Sequence, residues 1–132
     1  MCVFCMIAGH EIPSQVVYED DKFIAFLDLT QTTIGHTLVV PKKHSRNIYE
    51  LDEDDAKEIM VVAKNVALKL KKAFNPIGMN LINNNEKPLQ SVDHYHIHLI
   101  PRYENDKFDI NFVDNSKNVD LSKILKQINE AK

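Results

Sequence analysis

The sequence predicts an α+β fold, a small antiparallel sheet of about five short strands with one long helix and a short C-terminal helix. Three observations predict it. From His94 to Leu99, histidines alternate with large apolar residues, and a period of two belongs to a strand. Residues 52–74 carry apolar side chains at helical spacing, between an acidic start and a basic end. The other apolar runs are short, rich in Val, Ile and Phe, and bounded by turn residues.

In chain order, residues 2–9 form a short apolar opening, a helical turn ending at Gly9. Val16-Val17-Tyr18 is the first strand, and Glu19-Asp20-Asp21-Lys22 reads as a hairpin turn without the glycine of the tightest types. Phe23 to Leu27 is the second strand, Asp28 to Gly35 a polar connection, and Thr37 to Val40 a third strand stopped by Pro41. Lys42 to Glu50 is a basic loop. Asp52 is the expected N-cap of the long helix, with Asp55 as its capping-box partner. Its apolar stripe is Ala56, Ile59, Met60, Ala63, Ala67, Leu70 and Phe74, and Pro76 and Gly78 end it. Met79 to Asn83 is the fourth strand. The histidine stretch is the fifth, ended by Pro101, which has no N–H to donate. Residues 104–118 form a polar loop, and Leu121, Ile124, Leu125 and Ile128 mark the C-terminal helix.

The 132 residues suit one domain with a real core, and the 44% apolar content argues against disorder. A net charge of -3 disfavours general nucleic-acid binding, which needs phosphate neutralisation. No apolar run approaches the ~20 residues of a membrane span. The start lacks the basic and apolar regions of a secretion signal, so a cytoplasmic location with reduced thiols is expected. Two cysteines, Cys2 and Cys5, separated by two residues, then point to a metal site or a redox pair.

The alternation places His94, His96 and His98 on one face and Tyr95, Ile97 and Leu99 on a core-facing side. Three cations there would repel, and three neutral rings need several partners. Two chemistries use such a row. One is a metal held by three imidazoles, an open site for a metal-dependent hydrolase. The other is nucleophilic catalysis by a neutral histidine whose second nitrogen is held in a fixed tautomer.

His-x-His-x-His followed by two apolar residues and preceded by Gln90-Ser91-Val92 resembles the histidine triad (HIT) family of nucleotide hydrolases and transferases. Pro101-Arg102 and Asn83-Asn84-Asn85 are most similar to its bacterial hydrolase members. The likeness covers about residues 2–103, leaving 104–132 as a variable segment of a single domain, 1–132. The resemblance implies a HIT-like sheet with helices, usually in a two-fold homodimer. It implies hydrolysis of a purine nucleoside phosphoramidate or dinucleoside polyphosphate through a nucleotidyl-histidine intermediate. His96 would be the nucleophile, His98 a donor to the phosphate or leaving group, and His94 and His36 would support them. Nucleotidyl-transferring members characteristically carry glutamine at the third position, so His98 favours hydrolysis. A nucleotide-binding protein without turnover stays open beside the two enzyme readings.

The same resemblance implies phosphate contacts from Asn83, Gln90 and Ser91, a base pocket of Phe4, Ile7, Phe26 and Leu29, and ribose binding by Asp28. Without it, these apolar residues are ordinary core and Asp28 an ordinary turn residue. Family members usually carry a glycine immediately before the glutamine, whereas this chain has Leu89. A glycine there would allow a close main-chain approach to phosphate. Cys2, Cys5, His44 and His94 resemble the structural zinc set of some bacterial members, which would give His94 an outer role.

Overall fold

The computed structural model describes residues 2–131. In chain order its elements are α1 (Val3–Ala8), β1 (Val16–Glu19), β2 (Phe23–Leu27), β3 (Thr37–Pro41), α2 (Glu53–Phe74), β4 (Gly78–Ile82), β5 (Ile97–Arg102), a 3₁₀ turn (Ser116–Asn118) and α3 (Leu121–Glu130). The five strands form one sheet in the order β1-β2-β3-β5-β4, and every neighbouring pair is antiparallel.

The strand period separates two cores. Phe23, Ala25, Val39, Ile97 and Leu99 point to one face and pack with Ile59, Val62, Ala63, Val66 and Leu70 of α2. Ile24, Phe26, Leu38 and Val40 point to the other, where Phe4 and Ile7 of α1 cover them. The β1–β2 turn dispenses with glycine because Asp20 Oδ1 accepts from the N–H groups of both Lys22 and Phe23, at 2.8 Å each.

Four local expectations change. The buried face of α2 is Asp55, Ile59, Val62, Ala63, Val66 and Leu70, rotated from the expected stripe, with Ala56, Met60 and Phe74 exposed. Asp52 does cap the helix, accepting from Asp54 N–H at 2.9 Å. Asp55 makes no capping box: it is buried, its Oδ2 has no partner, and burial raises its carboxyl above the usual range. At the other end Asn75 takes the left-handed conformation, φ 49°, that glycine usually supplies.

The other two changes concern the histidine stretch. The ladder begins only at Ile97, so His94 and His96 stand just before the strand, although Tyr95 still joins Ile97 and Leu99 in the α2 core. Pro101 lies inside β5 opposite Met79 instead of ending it. Its carbonyl accepts from Thr33 Oγ1 at 2.6 Å, on the β3 side, where the ladder starts only at Thr37 opposite Leu99. A residue's N–H and C=O point to the same side of a strand, so the missing N–H costs no bond to β4.

Candidate active site and metal centre

The face of the sheet under α1 carries a cavity of about 320 Å³. Its apolar part is lined by Phe4 and Ile7 from α1, Phe26 and Leu38 from the sheet, and Leu29 at the rim. Its polar end holds Asp28, Ser91, His96 and His98. Thus Phe4, Ile7, Phe26, Asp28 and Ser91 line one cavity, with Leu29 exposed at its rim. The polar Ser14 and Gln15 also line the cavity, on the segment before β1 that carried no motif.

Asn83 and Gln90 are placed elsewhere. Asn83 Nδ2 donates to the His96 carbonyl at 3.0 Å, and its Oδ1 accepts from Asn85 Nδ2. Gln90 is buried, accepts from Glu86 N–H at 2.8 Å, and donates to the Arg46 and Val92 carbonyls. Both amides are occupied in holding the loop beside the histidines. Leu89 is 70% exposed, and its N–H donates to the Glu86 carbonyl at 3.1 Å. The positive φ of this loop falls on Glu86, at 69°, so the loop closes without a glycine at Leu89.

Burial lowers the pKa of His36, His94, His96 and His98, so all four rings are neutral near pH 7. The shift is largest at His98, pushed down to about 4 by burial first and then by His96 and His36. Their hydrogen bonds then assign each proton. His94 Nε2 lies 2.7 Å from the Pro41 carbonyl, and His96 Nδ1 lies 2.7 Å from the His94 carbonyl. A carbonyl only accepts, so both of those nitrogens carry hydrogen. His94 Nδ1 and His96 Nε2 therefore keep free lone pairs.

A second chain of bonds sets His98. Thr32 N–H donates to His36 Nδ1 at 3.3 Å, so His36 carries its proton on Nε2. That nitrogen lies 2.9 Å from His98 Nδ1 and donates to it, leaving His98 with its N–H on Nε2. The loop that presents Thr32 is closed by Gln31, which donates to the Asp28 and His36 carbonyls and accepts from Gly35 N–H. The sequence offered no signal for Gln31, because its partners are all main-chain atoms. Asp28 is buried enough to raise its pKa, yet the Thr30 hydroxyl and N–H on Oδ1 outweigh this and hold it below the usual range. Its Oδ2, 3.8 Å from His36 Nε2, is left to accept from a ligand.

The free Nδ1 of His94 faces a different group. It lies 3.3 Å from Cys2 Sγ, 3.4 Å from Cys5 Sγ and 3.1 Å from His44 Nδ1, while Cys5 Sγ is 3.4 Å from His44 Nδ1. A tetrahedral zinc ion with bonds of about 2.3 Å to sulfur and about 2.0 Å to nitrogen would separate S from N by about 3.5 Å and N from N by about 3.3 Å. The four donors fit that shell, and the Pro41 carbonyl supplies the outer hydrogen bond that orients a ligating imidazole. Among the described residues, no donor set of metal-binding size contains His96 or joins two of the three triad histidines. A three-imidazole metal site is therefore not formed.

The chain is also similar to known proteins. Residues 9–105 match the family model of the HIT domain. The chain is 50% identical over 103 residues to Protein hit of Bacillus subtilis, covering 77% of this chain and 71% of that one. It is 37% identical over 102 residues to an adenosine 5'-monophosphoramidase of Schizosaccharomyces pombe, covering 76% and 74%. A crystal structure of a HIT family member from Bacillus subtilis superposes with a TM-score of 0.94 at 40% identity, covering 99% of this chain and 96% of that one. A Zn-bound histidine triad family protein from Mycobacterium smegmatis superposes with a TM-score of 0.77 at 30% identity, covering 99% and 97%. With the fold, the triad and these likenesses in agreement, the chain belongs to the HIT domain family.

Proposed function

We propose that the protein hydrolyses a purine nucleoside phosphoramidate or dinucleoside polyphosphate through a nucleotide bonded covalently to His96. The observation that carries this reading is the proton assignment. His96 presents a bare Nε2 to the cavity, held from behind by its own Nδ1–H, and the neighbouring His98 presents an N–H. A nucleophile and a donor to developing negative charge thus stand side by side.

Nε2 of His96 forms a bond to phosphorus as the P–N or P–O bond to the leaving group breaks. The leaving group departs with the electron pair and takes up one proton. Water then attacks the same phosphorus, the Nε2–P bond breaks, and the nucleoside monophosphate and one proton are released. His98 Nε2–H steadies the phosphoryl charge, Ser91 at the polar end contacts phosphate, and Asp28 Oδ2 accepts from the ribose hydroxyls. The base lies between Phe4, Ile7 and Phe26. The relative named as an adenosine 5'-monophosphoramidase supports this substrate class.

We further infer a structural zinc ion at Cys2, Cys5, His44 and His94, supported by the donor geometry and the Zn-bound neighbour. A two-fold homodimer belongs to the same reading. Exposed Met60, Leu68 and Phe74 on α2 and Leu81 on the edge strand β4 offer apolar surface for it. Light scattering at twice the chain mass is expected, and a monomer mass overturns it.

The test of the activity is His96→Ala, assayed with adenosine phosphoramidate and a dinucleoside polyphosphate. Turnover is expected to fall by several decades, on the order of 10⁶ as for other lost nucleophiles, while nucleotide still binds. Mass spectrometry of wild type quenched in alkaline denaturant, where the P–N bond survives, should show one added nucleotidyl group, absent in the variant. A variant keeping more than about a tenth of wild-type activity excludes His96 as nucleophile.

A further inference from the structure

The short helix α1 serves both sites at once. Cys2, its N-cap, and Cys5 face His44 and His94, while Phe4 and Ile7 face the cavity. At six residues, α1 is too short to persist without external attachment. Its attachments are the apolar cluster with Ile24, Phe26, Leu38 and Val40, and the sulfur and imidazole donors of the metal centre. His94 repeats the dual role from below. Its ring faces the two cysteines, and its main-chain carbonyl holds His96 Nδ1 at 2.7 Å. Phe4 closes the loop, with its ring centroid 5.0 Å from that of His96, edge-on at 89°, and 6.0 Å from that of His94.

We propose that the metal centre positions the nucleotide pocket, so that zinc and nucleotide bind cooperatively, with α1 and His94 as the shared element. The inference rests on the nucleotide reading above and adds a coupling between the two ligands. An ion joining Cys2 and Cys5 to His44 and His94 holds α1 down, and this sets Phe4 and Ile7 as the wall of the base pocket. The same ion fixes the His94 ring, and with it the carbonyl that orients His96. A nucleotide packed against Phe4 and Ile7 holds α1 in turn, and so brings the two thiols to the imidazoles. Each ligand removes part of the ordering cost of the other. Linkage then requires the two effects to be equal: zinc must tighten nucleotide binding by the factor by which nucleotide tightens zinc. A zinc ion that serves only overall stability would raise the melting temperature and leave both affinities unlinked.

The experiment uses the full chain and AMP as probe. The zinc dissociation constant is measured by competition with a chromophoric chelator, without and with saturating AMP. The AMP constant is measured by calorimetry on zinc-loaded and on chelated protein, with circular dichroism confirming that the chelated sample is folded. Both ratios are expected to be equal and about fivefold or more. Amide hydrogen exchange in α1 should slow when AMP is added to chelated protein. If the chelated protein unfolds, Phe4→Leu with zinc decides the matter. It keeps all four donors but loosens the aromatic contact, so the effect of AMP on zinc affinity should shrink, whereas coupling through global folding would leave it unchanged and overturn the proposal. Equal AMP affinity with and without zinc overturns the coupling and spares the nucleotide site. No AMP binding to either form overturns the nucleotide reading and the coupling together. No zinc binding overturns the coupling alone.

Discussion

At the scale of single residues, the proposed chemistry depends on which nitrogen carries a proton. His96 and His98 are the same residue type two positions apart, yet one offers a lone pair and the other an N–H. The difference comes from their partners, the Thr32 N–H acting through the distant His36 in one case and the His94 carbonyl two residues away in the other. Neutral rings carry a pH dependence. An unfolded histidine titrates near 6.5, and folding lowers the pKa of His36 and lowers that of His98 to about 4. Between those values the unfolded chain binds more protons, so stability rises with pH through the window and is fully present above 6.5. The melting temperature is expected to be lower at pH 5 than at pH 7.5, and an NMR titration should place the His98 midpoint near 4. A midpoint near 6.5 contradicts its burial against His36. Leu89 gives a second prediction. Its N–H already serves Glu86 and its side chain is exposed, so Leu89→Gly should leave kcat and KM unchanged and cost about 0.5–1 kcal/mol through loop entropy. Faster turnover would show that a phosphate contact had been blocked.

At the scale of elements, the loop Asp28 to Gly35 does the most to build the site. Gly35 has φ +95°, and a Cβ there would lie 3.1 Å from the Phe74 ring and 3.2 Å from Pro101 Cγ. Its N–H is held by Gln31 Oε1, and His36 follows directly. Gly35→Ala combines left-handed strain with overpacking, so it should cost about 2–4 kcal/mol by chemical denaturation. It should also lower kcat, because His36 is displaced from His98. Loss of less than about 0.5 kcal/mol would mean that the turn adapts freely. The helices show what periodicity conveys and what it leaves open. The stripe in residues 52–74 marks a helix, but the buried face differs in phase, with Val62 and Val66 buried and Ala56, Met60 and Phe74 exposed. Both alternatives are apolar, and only contact with β2, β3 and β5 selects one.

At the scale of the whole molecule, the two faces of the sheet divide the work. The α2 face is continuous apolar core, while the α1 face carries the cavity and the metal donors. If the proposed zinc is bound, chelation should lower the melting temperature, because an ion at Cys2, Cys5, His44 and His94 would tie α1 to the loop after β3 and to the triad segment. It should lower turnover at saturating substrate without abolishing it, since the donor set includes His94, whose carbonyl holds His96 Nδ1, but not His96 Nε2 itself. Complete loss of turnover in a chelated sample shown to be folded would overturn catalysis by covalent His96. No helix among the described residues is long and apolar enough to cross a membrane.

The sequence by itself determined the α+β class, the strands and helices, the row of three histidines on one side of the chain, and the cysteine pair two residues apart. These are local matters, set by side-chain period, capping residues and turn residues within a few positions. Only the tertiary structure decided the rest. It placed Pro101 inside a strand, because the β3 ladder stops short of it. It turned Asn83 and Gln90 away from the cavity, because main-chain groups of neighbouring segments occupy their amides. It assigned each imidazole its proton and split His94 from His96, because His94 meets Pro41 and Cys5, 53 and 89 positions away, while nearer partners such as the Thr32 N–H reach a ring nitrogen only in the folded loop. A side chain's type limits which bonds it can form, and the atoms that fold around it select among them.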